Sequence, residues 1–482
     1  MTRGRWFVVV AVVVLIAGAL GGARWWGSDK QVEQRLMDEV AQTSGVRDLD
    51  ATNKQIVLTD GITAGRAEKV FERLDAAPMR GRWVARLGAA EIEIAGDTDD
   101  AAAALVTFGA VREAKVDRIH LENRPVQPQA RVEVEDPRAR VEIAQKVVAS
   151  VAGEENQDGQ PWDVVVRGGG DSAADRAAVW IRGSALEDPD ATASRLGRLA
   201  KVLRMPVTME FRQDGQVSDL RATVSDEREA TAVWRAFESA LEKDEVGRIE
   251  VGELADKVTY TGAKGQRIEP ALAATQSLLD AGATAVTEID LGLTKIIAKT
   301  ASLSDVGAIG TAANEIRPQL QLAVTWQEPI EWNGDGAGAA QIVDRPSEVA
   351  RVAPKLQQIA KLGYVILWGP ELAGLENGGP YVLAYPKPEG SFRPDELKKV
   401  MTLLRGVGWT GTRLVGVVSA PYDCGNENEK GTIVAWIRST ATGRGKVVNT
   451  DFSRAGTACE NQIDAARPSA ASTATEAWNS TA

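Results

Sequence analysis

The chain begins with one unbroken apolar run, Trp6 to Ala23, held between Arg5 and Arg24, and then settles into an alternation of two shorter patterns. The first spaces apolar residues as one face of a helix does. Ala67, Val70, Phe71 and Leu74 follow it, as do Ala104, Leu105, Phe108 and Val111, and Ala230, Val233, Trp234, Phe237 and Leu241. Similar stripes at Val32, Ala144, Leu196, Leu272, Val306, Val349 and Leu397 bring the prediction to ten amphipathic helices, with starts near residues 30, 63, 99, 137, 189, 226, 267, 304, 347 and 394. Pro354 falls inside the ninth stripe, so that helix is expected to kink or to begin near it.

The second pattern is period two. Between successive helices lie two short alternating runs and a turn, as in Trp83 to Leu87 with Glu91 to Ala95, and Val207 to Arg212 with Leu220 to Val224. Asp214-Gly215 and Asn377-Gly378 carry hairpin chemistry. The whole reads as a degenerate α-β-β repeat. A helix and a hairpin cannot bury both apolar faces alone, so the expectation is an α+β fold of about five paired units, each a split β-α-β sandwich. Proline, glycine and composition shifts divide the chain into 1–5, a stub; 6–23, the apolar run; repeat modules over 30–128, 129–263 and 264–345; a carboxyl-terminal module over 346–464; and a disordered Ala/Ser/Thr-rich tail over 465–482.

Eighteen apolar residues make a helix of roughly 27 Å, close to bilayer thickness. Residues 6–23 are therefore expected to span a membrane once as an N-terminal transmembrane helix, with Arg3 and Arg5 on the cytoplasmic side and the bulk of the chain outside. The competing assignment is a cleavable signal peptide. Core length favours retention, and Trp25 and Trp26 suit the outer interface.

Composition fits a folded ectodomain, with 44% hydrophobic and 26% charged residues. The formal charge is -11 and the three arginines flanking the apolar run all lie outside the exported part, so that part is strongly acidic. Nucleic acid is thereby disfavoured as a partner, and so is simple electrostatic binding to anionic lipid headgroups or wall polymers unless a local patch or divalent cations intervene. The two cysteines, Cys424 and Cys459, are expected to form one structural disulfide in an oxidising compartment.

A joint recurs through the repeat, in which a strand ends in a small polar turn and a helix follows: IVLTDG before Ile62, IEIAGD before Thr98, VWIRGS before Ala185 and VTYTGA before Lys264. This resembles the BON type of envelope module, best over Gln31 to Asn123. The resemblance implies an extracytoplasmic or membrane-associated binding role and supplies no catalytic residue.

Candidate chemistry is sparse. His120 is the only histidine, in the alternating run VDRIHLE, and no nucleophile elbow accompanies it. Glu91 with Glu93, and Glu133 with Glu135, each share a strand face, which suits a solvated sheet as well as a carboxylate pair. Asp97, Asp99 and Asp100 lack the later glutamate of a calcium loop and read as helix-capping acids. Gly168 to Gly170 lacks the residues of a phosphate cradle, and Asn333 to Gly338 the full ligand set of a calcium loop. Most of the thirteen tryptophans sit on predicted strands as core anchors, though any exposed on a sheet face would offer a platform for sugars or a partner. No catalytic residue, metal site or cofactor is assigned. The expectation is a non-catalytic, membrane-anchored binding or scaffold protein of a bacterial cell envelope, whose partners are envelope proteins or cell-wall and lipid components. An envelope hydrolase using paired carboxylates and a subunit of an oligomeric channel or secretion assembly are the alternatives.

Overall fold

A computed structural model describes residues 34–75, 82–94, 98–111, 116–122, 128–151, 160–168, 178–205, 207–214, 217–243, 245–252, 257–326, 340–371, 379–386, 394–423, 430–452 and 460–482. Two compact units emerge: one runs to Thr223 and includes Ser239–Val246, and the other comprises Val224–Glu238 and Gly247–Ala482.

The first unit opens with helix α1 (residues 34–41). Strands β1 (Val46–Asp50) and β2 (Gln55–Leu58) form a hairpin, and α2 (Ala64–Asp75) leads to the next pair, β3 (Trp83–Leu87) and β4 (Ala90–Ile94). The same step recurs through α3 (Thr98–Gly109) to β5 (Val116–Glu122) and β6 (Gln129–Val134), then through α4 (Arg140–Val151) to β7 (Asp163–Gly168) and β8 (Ala178–Ile181). Helix α5 (Pro189–Leu199) leads to β9 (Thr208–Asp214) and β10 (Val217–Val224). Each hairpin is antiparallel, and each following strand pairs in parallel with the strand before the helix. Every β-α-β crossover therefore advances the sheet in one direction. With the usual right-handed crossover, all the helices fall on one face, where α2 touches α3, α3 touches α4 and α4 touches α5.

The second unit repeats the plan. It holds most of α6 (Glu227–Ala240) and β11 (Val246–Val251). Strand β12 (Val258–Ala263) passes through α7 (Glu269–Asp280) to β13 (Ala285–Asp290) and β14 (Lys295–Thr300). Helix α8 (Leu303–Ile316) leads to β15 (Gln321–Trp326) and β16 (Ala340–Asp344), and α9 (Pro346–Ala360) to β17 (Tyr364–Gly369) and β18 (Tyr381–Pro386). Helix α10 (Pro394–Val407) leads to β19 (Arg413–Asp423), β20 (Lys430–Ser439) and β21 (Lys446–Phe452), and α11 (Glu460–Asn479) follows. The pairings from β12 to β19 again alternate parallel and antiparallel, and β19, β20 and β21 close the series antiparallel.

Local chemistry explains the element ends. Asp188 accepts from the Ala191 amide at 3.0 Å with Pro189 in the first turn of α5. At α6, Asp226 accepts from the Glu229 amide at 2.8 Å while the Glu229 carboxylate takes the Ser225 amide at 2.9 Å, a capping box. The β9–β10 hairpin closes at Asp214 opposite Val217. Apolar stripes supply the core: Val70, Phe71 and Leu74 of α2 are fully buried, each contributing roughly 1.5–3 kcal/mol. Helix α9 runs unbroken through Pro354, whose ring lies near Gly307 of α8.

The expected fold class needs two corrections. The strands do not close into about five split sandwiches. The second strand of each hairpin hands on in parallel to the next hairpin, so within each unit the ladder stays open and continuous. No described helix is long and apolar enough to cross a membrane; residues 6–23, on which the transmembrane expectation rested, lie outside the described residues. The carboxyl-terminal residues also differ from expectation. Instead of a disordered tail over 465–482, α11 packs on β19, β20 and β21, burying Ala470, Ala474 and Trp478. Cys424 and Cys459 lie outside the described residues.

Candidate functional site

Among the described residues, the helices of the first unit pack on one face of its sheet. On the covered face Val132, Val164, Val166, Val179, Ile181, Met209, Phe211 and Leu220 are buried. The alternate residues of the same strands face away from the helices. Reading the strand registers across, one row runs Arg86, Glu91, His120, Arg131, Val165, Trp180, Arg212 and Asp219, from β3 to β10. Beside it a second row runs Glu133, Arg167, Ala178, Glu210 and Arg221, from β6 to β10.

Arginines and carboxylates of these rows and their neighbours pair within and across strands. The Glu91 carboxylate is held by Arg86, with Nη2 at 3.0 Å and Nε at 3.2 Å, while His120 Nδ1 lies 3.4 Å away and Arg118 Nε 3.6 Å. Arg82 meets Glu93 at 2.8 Å, Arg167 meets Glu133 at 2.7 Å, Arg131 lies 3.5 Å from Glu122, and Arg212 meets Glu210 at 2.6 Å. The Arg212 guanidinium also sits 5.3 Å from the Trp180 ring centre, within cation–π range.

Over the last five strands the face dips into a hollow of about 330 Å³. Arg131, Arg167 and Arg221 line it together with Glu210, Thr208, Thr223 and Trp180, over a small apolar floor of Val165 and Ala178. Its formal lining charge is positive on a chain whose total is -11. Two of its arginines are only partly engaged. Arg167 Nε is buried and has no hydrogen-bond partner among the described residues, and the Asp219 carboxylate lies 3.7 Å from Arg221, beyond hydrogen-bond range.

The residues singled out in the sequence divide accordingly. Glu91, Glu93, His120 and Glu133 all lie on this open face, and each of the three carboxylates is paired with an arginine, whereas Glu135 lies just beyond β6 and is exposed. Asp99 and Asp100 stand in the first turn of α3, as capping acids would. Asp99 also meets Glu68 and Glu72 of α2, the three ligand atoms lying within 4.8 Å of one another. A hydrogen bond and the charge of Asp99 push the Glu68 carboxyl up from its ordinary value. Asp97, Gly169, Gly170 and Asn333 to Gly338 lie outside the described residues. Trp83, Trp162, Trp234, Trp326, Trp368, Trp436 and Trp478 are buried, while Trp180 is half-exposed on the open face.

Sequence reading passed over the arginines. The signal was present: WVARL, VDRIHLE, QARVEV, DVVVRG, MEFRQD and DLRATV each place an arginine at a polar position of an alternating run. Only the registers show that these residues face one another. No family model, curated protein or solved structure matches this chain.

Proposed function

We propose that this is a non-catalytic, extracytoplasmic binding or scaffold protein, anchored to the membrane of a bacterial-type envelope by residues 6–23, and that the open sheet face of its first unit is where it binds. The observation that carries this reading is the pair of charged cross-strand rows, which spread polar and aromatic groups over a broad surface opposite the described helices. A carboxylate hydrolase needs two acids converging on a cleft with their protonation states set apart. Here Glu91, Glu93, Glu133 and Glu210 each meet an arginine, which suits a rigid recognition surface instead. The BON-like joints of residues 31–123 belong to the same reading, as an envelope module with a binding role.

Cross-linking in intact cells, followed by mass spectrometry of what is captured with the full-length protein, tests the proposal. One defined set of envelope proteins or wall fragments is the expected recovery. Self-links alone, together with turnover of a glycan, lipid or peptide by the purified protein, would overturn it. Placement is tested separately: protease added to intact cells stripped of outer layers should digest an epitope fused after Ala482, and full protection of that epitope would contradict an exported carboxyl end.

A further inference from the structure

The hollow over β6 to β10 has a chemistry more specific than a general contact surface. Trp180 offers a half-exposed ring, with the Arg212 guanidinium 5.3 Å from its centre, beside a small apolar floor, and the apolar side of a pyranose packs on such a surface. Thr208, Thr223 and Glu210 offer hydroxyls and a carboxylate suited to sugar hydroxyls. Flanking them, Arg167 and Arg221 stand on β7 and β10, three strand steps or about 14 Å apart at the backbone. Arg167 Nε has no hydrogen-bond partner among the described residues, Arg221 has only a loose 3.7 Å ion pair with Asp219, and a guanidinium fork pairs best with a carboxylate or phosphate. The volume, about 330 Å³, is at the small end of ligand sites and suits a short oligosaccharide rather than a large cofactor.

We propose that this hollow binds an acidic saccharide laid across the strands, its ring on Trp180 and its anionic groups reaching Arg167 on one side and Arg221 on the other. Two other occupants are distinguishable. A peptide adding a strand needs a free backbone edge, and β7, β8 and β9, which carry Val165, Arg167, Trp180 and Glu210, are paired on both sides. A single-stranded nucleic acid would also stack on Trp180, and the oligothymidylate arm of the test below separates it from a saccharide. The inference rests on the binding role proposed above and names the ligand class of that same face.

The test is calorimetric titration of the full-length protein in detergent micelles with trigalacturonate, glucose 1-phosphate, neutral maltotriose and an oligothymidylate. Saturable binding of trigalacturonate is expected, with maltotriose at least tenfold weaker; glucose 1-phosphate, whose single anionic group can meet only one of the two arginines, should bind more weakly than trigalacturonate. Arg221→Gln, Arg167→Gln and Trp180→Ala should each weaken the acidic ligand about tenfold or more. Arg235→Gln, at an exposed pair with Glu269 in the second unit, should leave it unchanged, and unaltered thermal melting shows that the variants fold. Absence of saturable binding by either acidic sugar, equal binding by the Arg221 and Trp180 variants, or tighter binding of oligothymidylate would overturn the assignment. If these sugars fail while cells still yield one defined set of cross-linked partners, the ligand class falls and the binding role stands.

Discussion

Tyr260 is buried on β12, where its hydroxyl meets Thr275 Oγ1 of α7 at 2.8 Å. Burial pushes its phenol up to about 12, opposed only in part by the Thr275 hydrogen bond. Because the folded value is raised, the stabilisation is complete below the unfolded value near 10 and is lost as pH rises through about 12. Tyr260→Phe should remove this alkaline dependence, so that the stability gap between the two proteins narrows as denaturant midpoints are followed upward from pH 9. A gap that stays constant would place the phenolate elsewhere. A second buried group is Arg195 on α5, which donates to the Ala240 carbonyl at 2.9 Å and to the Glu245 carboxylate, itself the acceptor for Ser218. Burial lowers the Arg195 value and Glu245 opposes that shift. Glu245→Ala would leave a buried cation unpaired, at an expected cost of roughly 3–5 kcal/mol measured by urea unfolding. Neither partnership was legible in the sequence, because contacts between residues fifteen or fifty positions apart depend on packing that no local pattern encodes. The alternation that placed Glu91 and His120 on strands was legible; that Arg86 would stand opposite Glu91 required the β3–β4 register.

Helices were the most readable elements because each carries a stripe of large apolar residues. Starts expected near 189, 226 and 394 fall at Pro189, Glu227 and Pro394. The stripe that opens at Leu272 closes at Leu278, which is buried, while the neighbouring Leu279 is exposed. Helix α11 escaped because its buried face is made of alanines and one tryptophan, Ala470, Ala474 and Trp478, which carry little hydropathy contrast. Trp478 is its anchor. It stacks on Trp409 at 6.2 Å, donates to Ser439 Oγ at 3.0 Å, and lies under the Arg405 guanidinium at 3.9 Å. Trp478→Ala should cost roughly 3–5 kcal/mol, with amide exchange accelerating in residues 460–479 first. Uniform loss of protection across the second unit would show instead that α11 is integral to its core. The α8–α9 contact makes a sharper prediction. A Cβ on Gly310 would come 2.6 Å from the Ala350 amide nitrogen and 3.1 Å from the Pro346 carbonyl oxygen, so the two helix backbones meet without a side chain between them. Gly310→Ala should therefore lower stability by about 1–3 kcal/mol, although alanine is the better helix former. A stabilised variant would mean the helices separate without cost.

At the scale of the molecule, the α-β-β period was visible but its closure was not. The same spacing serves a closed sandwich and an open ladder, and the choice lies in which strand follows each crossover. Parallel hand-on from β2 to β3, β4 to β5, β6 to β7 and β8 to β9 keeps the first unit's sheet open and leaves one face without helices among the described residues. That face gathers arginines, glutamates and Trp180 into rows, and the account of function depends on it. The direct test is photo-cross-linking in intact cells from single sites in the full-length protein. A photoreactive residue at Thr208, beside the hollow, should capture one defined partner or glycan, whereas one at Ser194, exposed on α5, should not. Capture from Ser194 with none from Thr208 would contradict the account, moving the binding surface from the open sheet to the helices.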